Sequence, residues 1–263
     1  MSDSSSTHAY DYYGLIASTW DLWRDDTSNW SDRFFFLEIV QRYGQPVLDV
    51  GCGTGRIILD YFQQGIDIDG VDNSPEMLDI CRTKAEKLKI VPKLYQQDMQ
   101  KLDLPRTYRT ILCPSSSLQL LTDLDEARAA LRRFFDHLEP GGAFISPFSF
   151  DWQEGEPLEH DWRLKFEKPR PEDGAVVRSW TREWYELAKQ WWHYEERFEV
   201  ELNGEIIARE HHRHSPDGRW YTQAQAIQLY QEVGFANIQL FKLFEDAPVT
   251  PEDRSFCVLG VKP

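Results

Sequence analysis

The segment Val47-Leu48-Asp49-Val50-Gly51-Cys52-Gly53-Thr54-Gly55-Arg56 limits what this chain can fold into more than any other ten residues. Three apolar β-formers surround an acid, a turn with three glycines follows, and Ile57-Ile58-Leu59-Asp60-Tyr61-Phe62 reads as a helix start. A strand that ends in glycines and feeds a helix lets a ligand approach the backbone closely, with helix amides aimed at it. A dinucleotide fingerprint, G-x-G-x-x-G, would need its third glycine where Arg56 stands. A phosphate loop would need Lys-Ser or Lys-Thr after the turn, and neither is there. Asp49 would repel a pyrophosphate and instead suits a ligand that carries an amino group.

Further strands are expected at 66–71, 93–97, 109–113 and 143–147, the last entered through a Pro140-Gly141-Gly142 turn. Helices are expected over 34–43, from Pro75 to about Leu88 with Ser74 as N-cap, and over 124–137. Residues 10–43 read as helical and strongly aromatic. Strands alternating with helices imply parallel β-α-β units, with the ligand at the carboxyl ends of the strands.

Near Asp151 the texture changes: the next seventy residues hold seven of the ten tryptophans and five of the seven histidines. From Trp191 to Leu202 the pattern has period two. Trp192, Tyr194, Phe198, Val200 and Leu202 share one face, with Glu196 the exception, and His193, Glu195, Arg197, Glu199 and Glu201 share the other. Asn203-Gly204 marks a hairpin turn, and 205–214 reads as the return strand. With 162–168 and 176–187 this makes an antiparallel sheet of three or four strands inserted into the core. A helix over 222–233, ended by Gly234-Phe235, and two strands at 238–243 and 256–261 return to the core.

The glycine segment resembles the first motif of the class I S-adenosylmethionine-dependent methyltransferases, close to V-L-D-x-G-C-G-T-G. The order Tyr221-Thr222, helix, Gly234-Phe235 is similar to their small-molecule branch, and Ser115-Ser116-Ser117 loosely resembles the serine run of amino-sugar and glycine-type N-methyltransferases. The resemblance implies an α/β, three-layer Rossmann-like methyltransferase fold, with a seven-stranded mostly parallel sheet and an inserted antiparallel β-sheet. The expected organisation is a disordered tail at 1–9, a cofactor-binding core with an N-terminal helical cap at 10–150, the insertion at 151–220, and the rest of the core at 221–263.

The resemblance also assigns roles. S-adenosyl-L-methionine, leaving as S-adenosyl-L-homocysteine, is expected against Asp49, Gly51, Cys52, Gly53, Gly55 and Arg56. Asp72 is expected to accept from the ribose hydroxyls, with Asn73 and Met77 beside it, Met77 covering the adenine. Asp98 and Met99 are expected to meet the adenine edge, and Pro114 and Ser115 to open the methyl-transfer site. Ser116, Ser117, Gln119, Trp180 and Trp184 are the expected acceptor pocket, although the tryptophans suit core packing or a homodimer contact through the insertion equally well. Tyr13 is the expected catalytic group, because the family brings an N-terminal tyrosine over the cofactor. His160, His193, His211, His212 and His214 are weaker candidates for a base.

The function expected is methyl transfer to nitrogen or oxygen of a small molecule by in-line displacement. A cofactor-binding regulator without turnover, or a protein or RNA methyltransferase of the same fold, are the alternatives. A net charge of −15 counts against nucleic-acid partners. The Asn/Asp-Pro-Pro-Tyr and Pro-Cys signatures of nucleobase methylation are both absent from the sequence. No apolar run reaches the ~18 residues of a membrane span. No signal-peptide pattern precedes the core, so a cytoplasmic location is expected. Four scattered cysteines argue against zinc or a disulfide framework. No metal is expected at His211-His212-x-His214 either, since only His212 and His214 would share a face of a strand.

Overall fold

The computed structural model describes residues 10–263, so the tail expected at 1–9 lies outside the described residues. The N-terminal stretch forms two short helices, α1 (Gly14–Ser18) and α2 (Trp20–Arg24), followed by α3 (Ser31–Tyr43). The core then alternates through β1 (Val47–Val50), α4 (Ile58–Gln63), β2 (Ile68–Asp72), α5 (Pro75–Leu88) and β3 (Lys93–Gln96). It continues with β4 (Tyr108–Leu112), α6 (Leu124–His137) and β5 (Leu138–Phe148). The insertion supplies β6 (Arg163–Pro169), β7 (Val176–Glu186), β8 (Trp191–Leu202) and β9 (Glu205–Arg219). Then come α7 (Gln223–Val233), β10 (Ala236–Lys242) and β11 (Phe256–Val261).

The core sheet has seven strands in the order β10-β11-β5-β4-β1-β2-β3. β5, β4, β1, β2 and β3 run parallel, and β11 is antiparallel to both of its neighbours. The strand order therefore switches between β1 and β4, which opens a crevice at their carboxyl ends. Side chains alternate across β1: Leu48 and Val50 pack with Leu131, Phe134 and Tyr230 of α6 and α7, and Val47 packs with Phe36 and Ile39 of α3. The same alternation turns Asp49 toward the α3/α4 layer, where its side chain is buried.

Local chemistry sets the helix starts. Ser74 Oγ accepts from the Met77 amide at 3.2 Å with Pro75 in the first turn, and Thr222 with Gln225 forms a capping box on α7.

The second sheet has the order β6-β7-β8-β9, all antiparallel. Phe198 and Val200 on one face pack over Leu15 and Ile16 of α1, which couples the insertion to the N-terminal helices. The opposite face is not simply solvated, because His193 and Glu195 are buried there. His193 stacks on Trp184 at 4.9 Å, and Glu195 sits among Arg182, His211 and Arg213.

Two strand boundaries differ from expectation by more than two residues. Pro140-Gly141-Gly142 lies inside β5 rather than before it: Leu138 already pairs with Tyr108, and the register shifts before Ala143 meets Thr110, so the glycines form an irregularity within the strand. β9 continues past His214 to Arg219, because Trp192 pairs with Gly218 beyond a bulge that takes in a Ser-Pro-Asp-Gly run resembling a turn.

Gly55 fixes how closely α4 and α5 approach the turn. It has φ +92°, and a Cβ there would lie 2.6 Å from Cys81 Sγ and 2.7 Å from Leu59 Cγ, both buried. Gly55→Ala is therefore expected to lower unfolding stability by about 1–3 kcal/mol in urea titrations. An unchanged midpoint would mean that the helices have room to move apart.

Candidate active site

A cavity of about 470 Å³ opens where β1 and β2 end. Asp49, Gly51, Cys52, Gly53, Arg56, Asp72, Asn73, Met77, Asp98, Met99, Pro114, Ser115 and Ser117 all line it. Gly55 does not; its part is the packing described above. Ser116 donates to Ser149 Oγ at 3.2 Å instead of facing the cavity. Gln119 is buried and holds three segments together: its amide donates to the Ser149 and Arg219 carbonyls at 3.1 and 2.9 Å, and its oxygen accepts from the Ser149 amide at 2.7 Å. Trp180 and Trp184 do not line the cavity, since Trp184 is committed to His193 and Trp180 sits in the β6–β7 pairing.

The loop geometry explains how the acids reach the cavity. Asp72 accepts from the Gly53 amide at 2.8 Å through one oxygen and from the Ser74 amide at 2.9 Å through the other, tying the glycine turn to the end of β2. Burial raises its pKa, and these amide bonds partly offset the shift. Asp98 pairs with Lys101 at 2.8 Å from the far wall. Beside it, Ser115 and Ser116 both take positive φ, a strained bend that small side chains tolerate.

Asp49 and Arg24 are the unusual pair. Asp49 Oδ1 is buried without a hydrogen-bond partner. Burial pushes its carboxyl up to about 7, although the Arg56 guanidinium works in the other direction. Arg56 is itself engaged by Asp32, with Nη1 to Oδ1 at 2.9 Å. Arg24 has no ion-pair partner among the described residues, and its Nε is buried and unpartnered. Its guanidinium lies over the rings of Trp20, Trp23 and Trp30 at 3.9, 5.1 and 5.6 Å. Burial, with Arg56 nearby, lowers its pKa to about 10. Asp21, one turn earlier on α2, accepts from Thr54 Oγ1 at 2.7 Å and from Lys84 Nζ at 2.9 Å, and so docks α2 on the glycine turn with Arg24 facing the cavity.

The N-terminal segment is clamped from two sides. The Gly14 amide donates to Glu76 Oε2 at 2.7 Å, the Leu15 amide to Glu210 Oε2 at 2.7 Å, and Ser74 Oγ to the Tyr12 carbonyl at 2.5 Å. This seats Tyr12 in the cavity wall, whereas Tyr13 turns away and lies against His212 with ring centroids 4.7 Å apart. The tyrosine over the cavity is thus Tyr12. Neighbours in extended chain point opposite ways, and nothing local distinguishes them. Burial, with Asp217 and Asp11 nearby, keeps the Tyr12 hydroxyl protonated.

The insertion brings acids to the far side of Tyr12. Asp217 accepts from Trp192 Nε1 at 2.8 Å, and burial raises its pKa. His214 Nδ1 lies 3.4 Å from Asp11 Oδ1 and 3.9 Å from Asp217 Oδ1. Burial opposes the charge on this ring, but the two acids outweigh it and its pKa rises. The other candidate bases are engaged elsewhere: His193 with Ser215 and Glu186, His211 with Glu195, and His212 with Glu210. His160 lies edge-on to Tyr185.

Comparison with known proteins agrees with this geometry. A family model described as a methyltransferase domain matches residues 47–142. Over that segment, which is less than half of the chain, the sequence is similar to methyltransferase domains. The dTDP-3-amino-3,4,6-trideoxy-alpha-D-glucopyranose N,N-dimethyltransferase of Streptomyces venezuelae is 32% identical over 124 residues, covering 44% of this chain and 51% of that protein. The glycine/sarcosine N-methyltransferase of Halorhodospira halochloris is 29% identical over 133 residues, covering 48% and 49%. The chain thus spans about half the length of the curated relatives it matches. Among solved structures, a sugar N-methyltransferase from Streptoalloteichus superposes with a TM-score of 0.74 over 100% of this chain and 98% of the other, at 18% identity, a likeness of fold. No helix among the described residues is long and apolar enough to cross a membrane.

Tyr12, Trp20 and Arg24 went unassigned in the sequence; the only local signal was the aromatic-basic spacing on α2. The buried acid carries a pH signature. Because Asp49 ionises less readily folded than unfolded, it costs stability increasingly as pH rises from the ordinary carboxylate range through about 7. In Asp49→Asn the stability gap to the parent is expected to move in the variant's favour by about 1–4 kcal/mol between about pH 5 and about pH 8. Urea midpoints across that range measure it, and a gap independent of pH would show that Asp49 titrates normally.

Proposed function

We propose that this chain transfers the methyl group of S-adenosyl-L-methionine to a small molecule, with an amine nitrogen as the acceptor. The observation that carries the donor is the presence in one cavity of two opposite, incompletely partnered groups, a buried acid and a half-buried arginine. Asp49 Oδ1 and Arg24 Nε both lack partners, and both residues line the same space. A half-buried guanidinium with an unpartnered Nε and a half-satisfied buried acid are unfavourable until a ligand meets both, and an amino-acid zwitterion does so. Asp49 would hold the ammonium group and Arg24 the carboxylate. Asp72, fixed by the Gly53 and Ser74 amides, would accept from the ribose hydroxyls, and Asp98 with Met77 and Met99 would enclose the adenine.

When bound, this cofactor supplies a methyl group activated by a positively charged sulfur. The chain's own residues do the rest. The clamped segment carrying Tyr12 closes the cavity toward the insertion, which restricts water and fixes the line of approach. A protonated amine must shed a proton before its lone pair can attack, and Asp217 with His214 offers a half-buried acceptor on the insertion side. Asp11 and Asp217 also give that side a negative field that favours a cationic acceptor over a carboxylate. The N-methyltransferase names of the two relatives support nitrogen over oxygen.

Calorimetry with S-adenosylhomocysteine is expected to show one site, which Arg24→Gln weakens by at least about tenfold, because a charged hydrogen bond is lost from a buried position. Equal affinity in the variant would move the carboxylate contact elsewhere. With the radiolabelled methyl donor, product is expected on hydroxylated primary and secondary amines and not on phenols or carboxylates. Tyr12→Phe should lower turnover more than donor affinity. Product only on phenols would overturn the nitrogen assignment, and no product on any acceptor class would favour a regulator without turnover.

A further inference from the structure

A second cavity of about 660 Å³ lies behind the Gln119 knot and shares no lining residue with the first. Its walls come from the segment after β5, the exit of β9, the start of α7 and the approach to β11. Phe150 and Trp220 form a flat slab, stacked with centroids 4.2 Å apart and planes 17° from parallel, and Trp152 lies 6.2 Å from Phe150. Tyr221, Ile227 and Phe256 complete an apolar lining. Three donors on these walls are not committed to acids. Trp220 Nε1 and Tyr221 Oη are buried without partners, and Arg254 gives one nitrogen to the Trp152 carbonyl at 2.8 Å but forms no ion pair among the described residues.

We propose that this cavity is a second small-molecule site, taking a flat aromatic molecule that carries hydrogen-bond-accepting oxygens. The volume is that of a site for a drug-sized ligand, mostly apolar with a few polar groups, as such sites are. The slab offers a stacking surface of ring dimensions, which selects planar aromatic over aliphatic ligands. The polar groups without acidic partners are donors, so a ligand that presents carbonyl or ether oxygens satisfies them and one that presents only donors does not. Asp253 on the rim accepts from the Thr250 amide at 2.6 Å, which uses the nearest acid for the loop itself. The wall between the two cavities is the Gln119–Ser149 pairing, so occupancy of one leaves the other open.

The test is a fluorescence titration of the full chain with Nile red, a neutral planar dye with a ring carbonyl. One saturable site is expected. Ala224 lines the cavity from an exposed position of α7, so Ala224→Trp fills the space without disturbing the core and should weaken the dye by at least about tenfold. Trp220→Ala should weaken it comparably, and Arg254→Gln by a few-fold, with thermal midpoints and S-adenosylhomocysteine affinity unchanged in Ala224→Trp. Dye binding that ignores Ala224→Trp, that is absent altogether, or that S-adenosylhomocysteine displaces would overturn the proposal. Failure of S-adenosylhomocysteine itself to bind would count against the methyl-donor reading and leave this site standing.

Discussion

Two glutamates, one on a core helix and one on the inserted sheet, converge on the first turn of one short helix, and the candidate site depends on that convergence. Glu76 from α5 and Glu210 from β9 each take one backbone amide, of Gly14 and Leu15, at the positive end of α1. Gly14 has φ +56°, and a Cβ there would sit 2.5 Å from the Glu210 carboxylate, so a side chain at this position would push that carboxylate aside. With the segment seated, Tyr12, Trp20 and Arg24 become the cavity's outer wall. Without it the glycine turn and its acids would face open solvent, and the insertion would lose its apolar seat on Leu15 and Ile16.

The electrostatics of the cavity follow from what the clamp encloses. In a chain of net charge −15, a half-buried arginine with an unpartnered Nε and no ion pair among the described residues stands out. Its neighbour Arg56 is neutralised by Asp32, which among the described residues leaves Arg24 as an unpaired positive charge on the cavity and Asp49 as a half-satisfied acid. Three tryptophans hold the guanidinium by their faces, a contact that keeps its hydrogen-bonding edge available. On the proposed reading the site is prepared for a zwitterion before any ligand arrives, and ligand binding would relieve unfavourable burial at both ends.

The parts legible in the sequence were those with a local cause. The glycine turn, Ser74-Pro75 and the hairpin at Asn203-Gly204 each rest on interactions a few residues apart, and the structure has them at the expected positions. The misread parts depended on distant partners. Pro140-Gly141-Gly142 belongs to β5 because Tyr108 of a neighbouring strand pairs with Leu138, and Pro216 lies inside β9 because Trp192 reaches across to Gly218. His193 and Glu195 are covered because aromatic and basic side chains from adjacent strands lie over them.

By itself, the sequence determined the fold class and much of the lining of the cavity. An acid before a glycine turn, followed by acids at successive strand ends, is a pattern of short range, and parallel β-α-β topology then brings those strand ends together. Tertiary structure decided the rest. It selected Tyr12 over Tyr13, brought Arg24 to the cavity from a helix docked through Asp21, and moved Trp184 out of the site to stack on His193. These outcomes depend on which face of a short aromatic segment meets a sheet formed some two hundred residues later in the chain. No periodicity within the segment encodes that face, because the contact that selects it belongs to the other sheet.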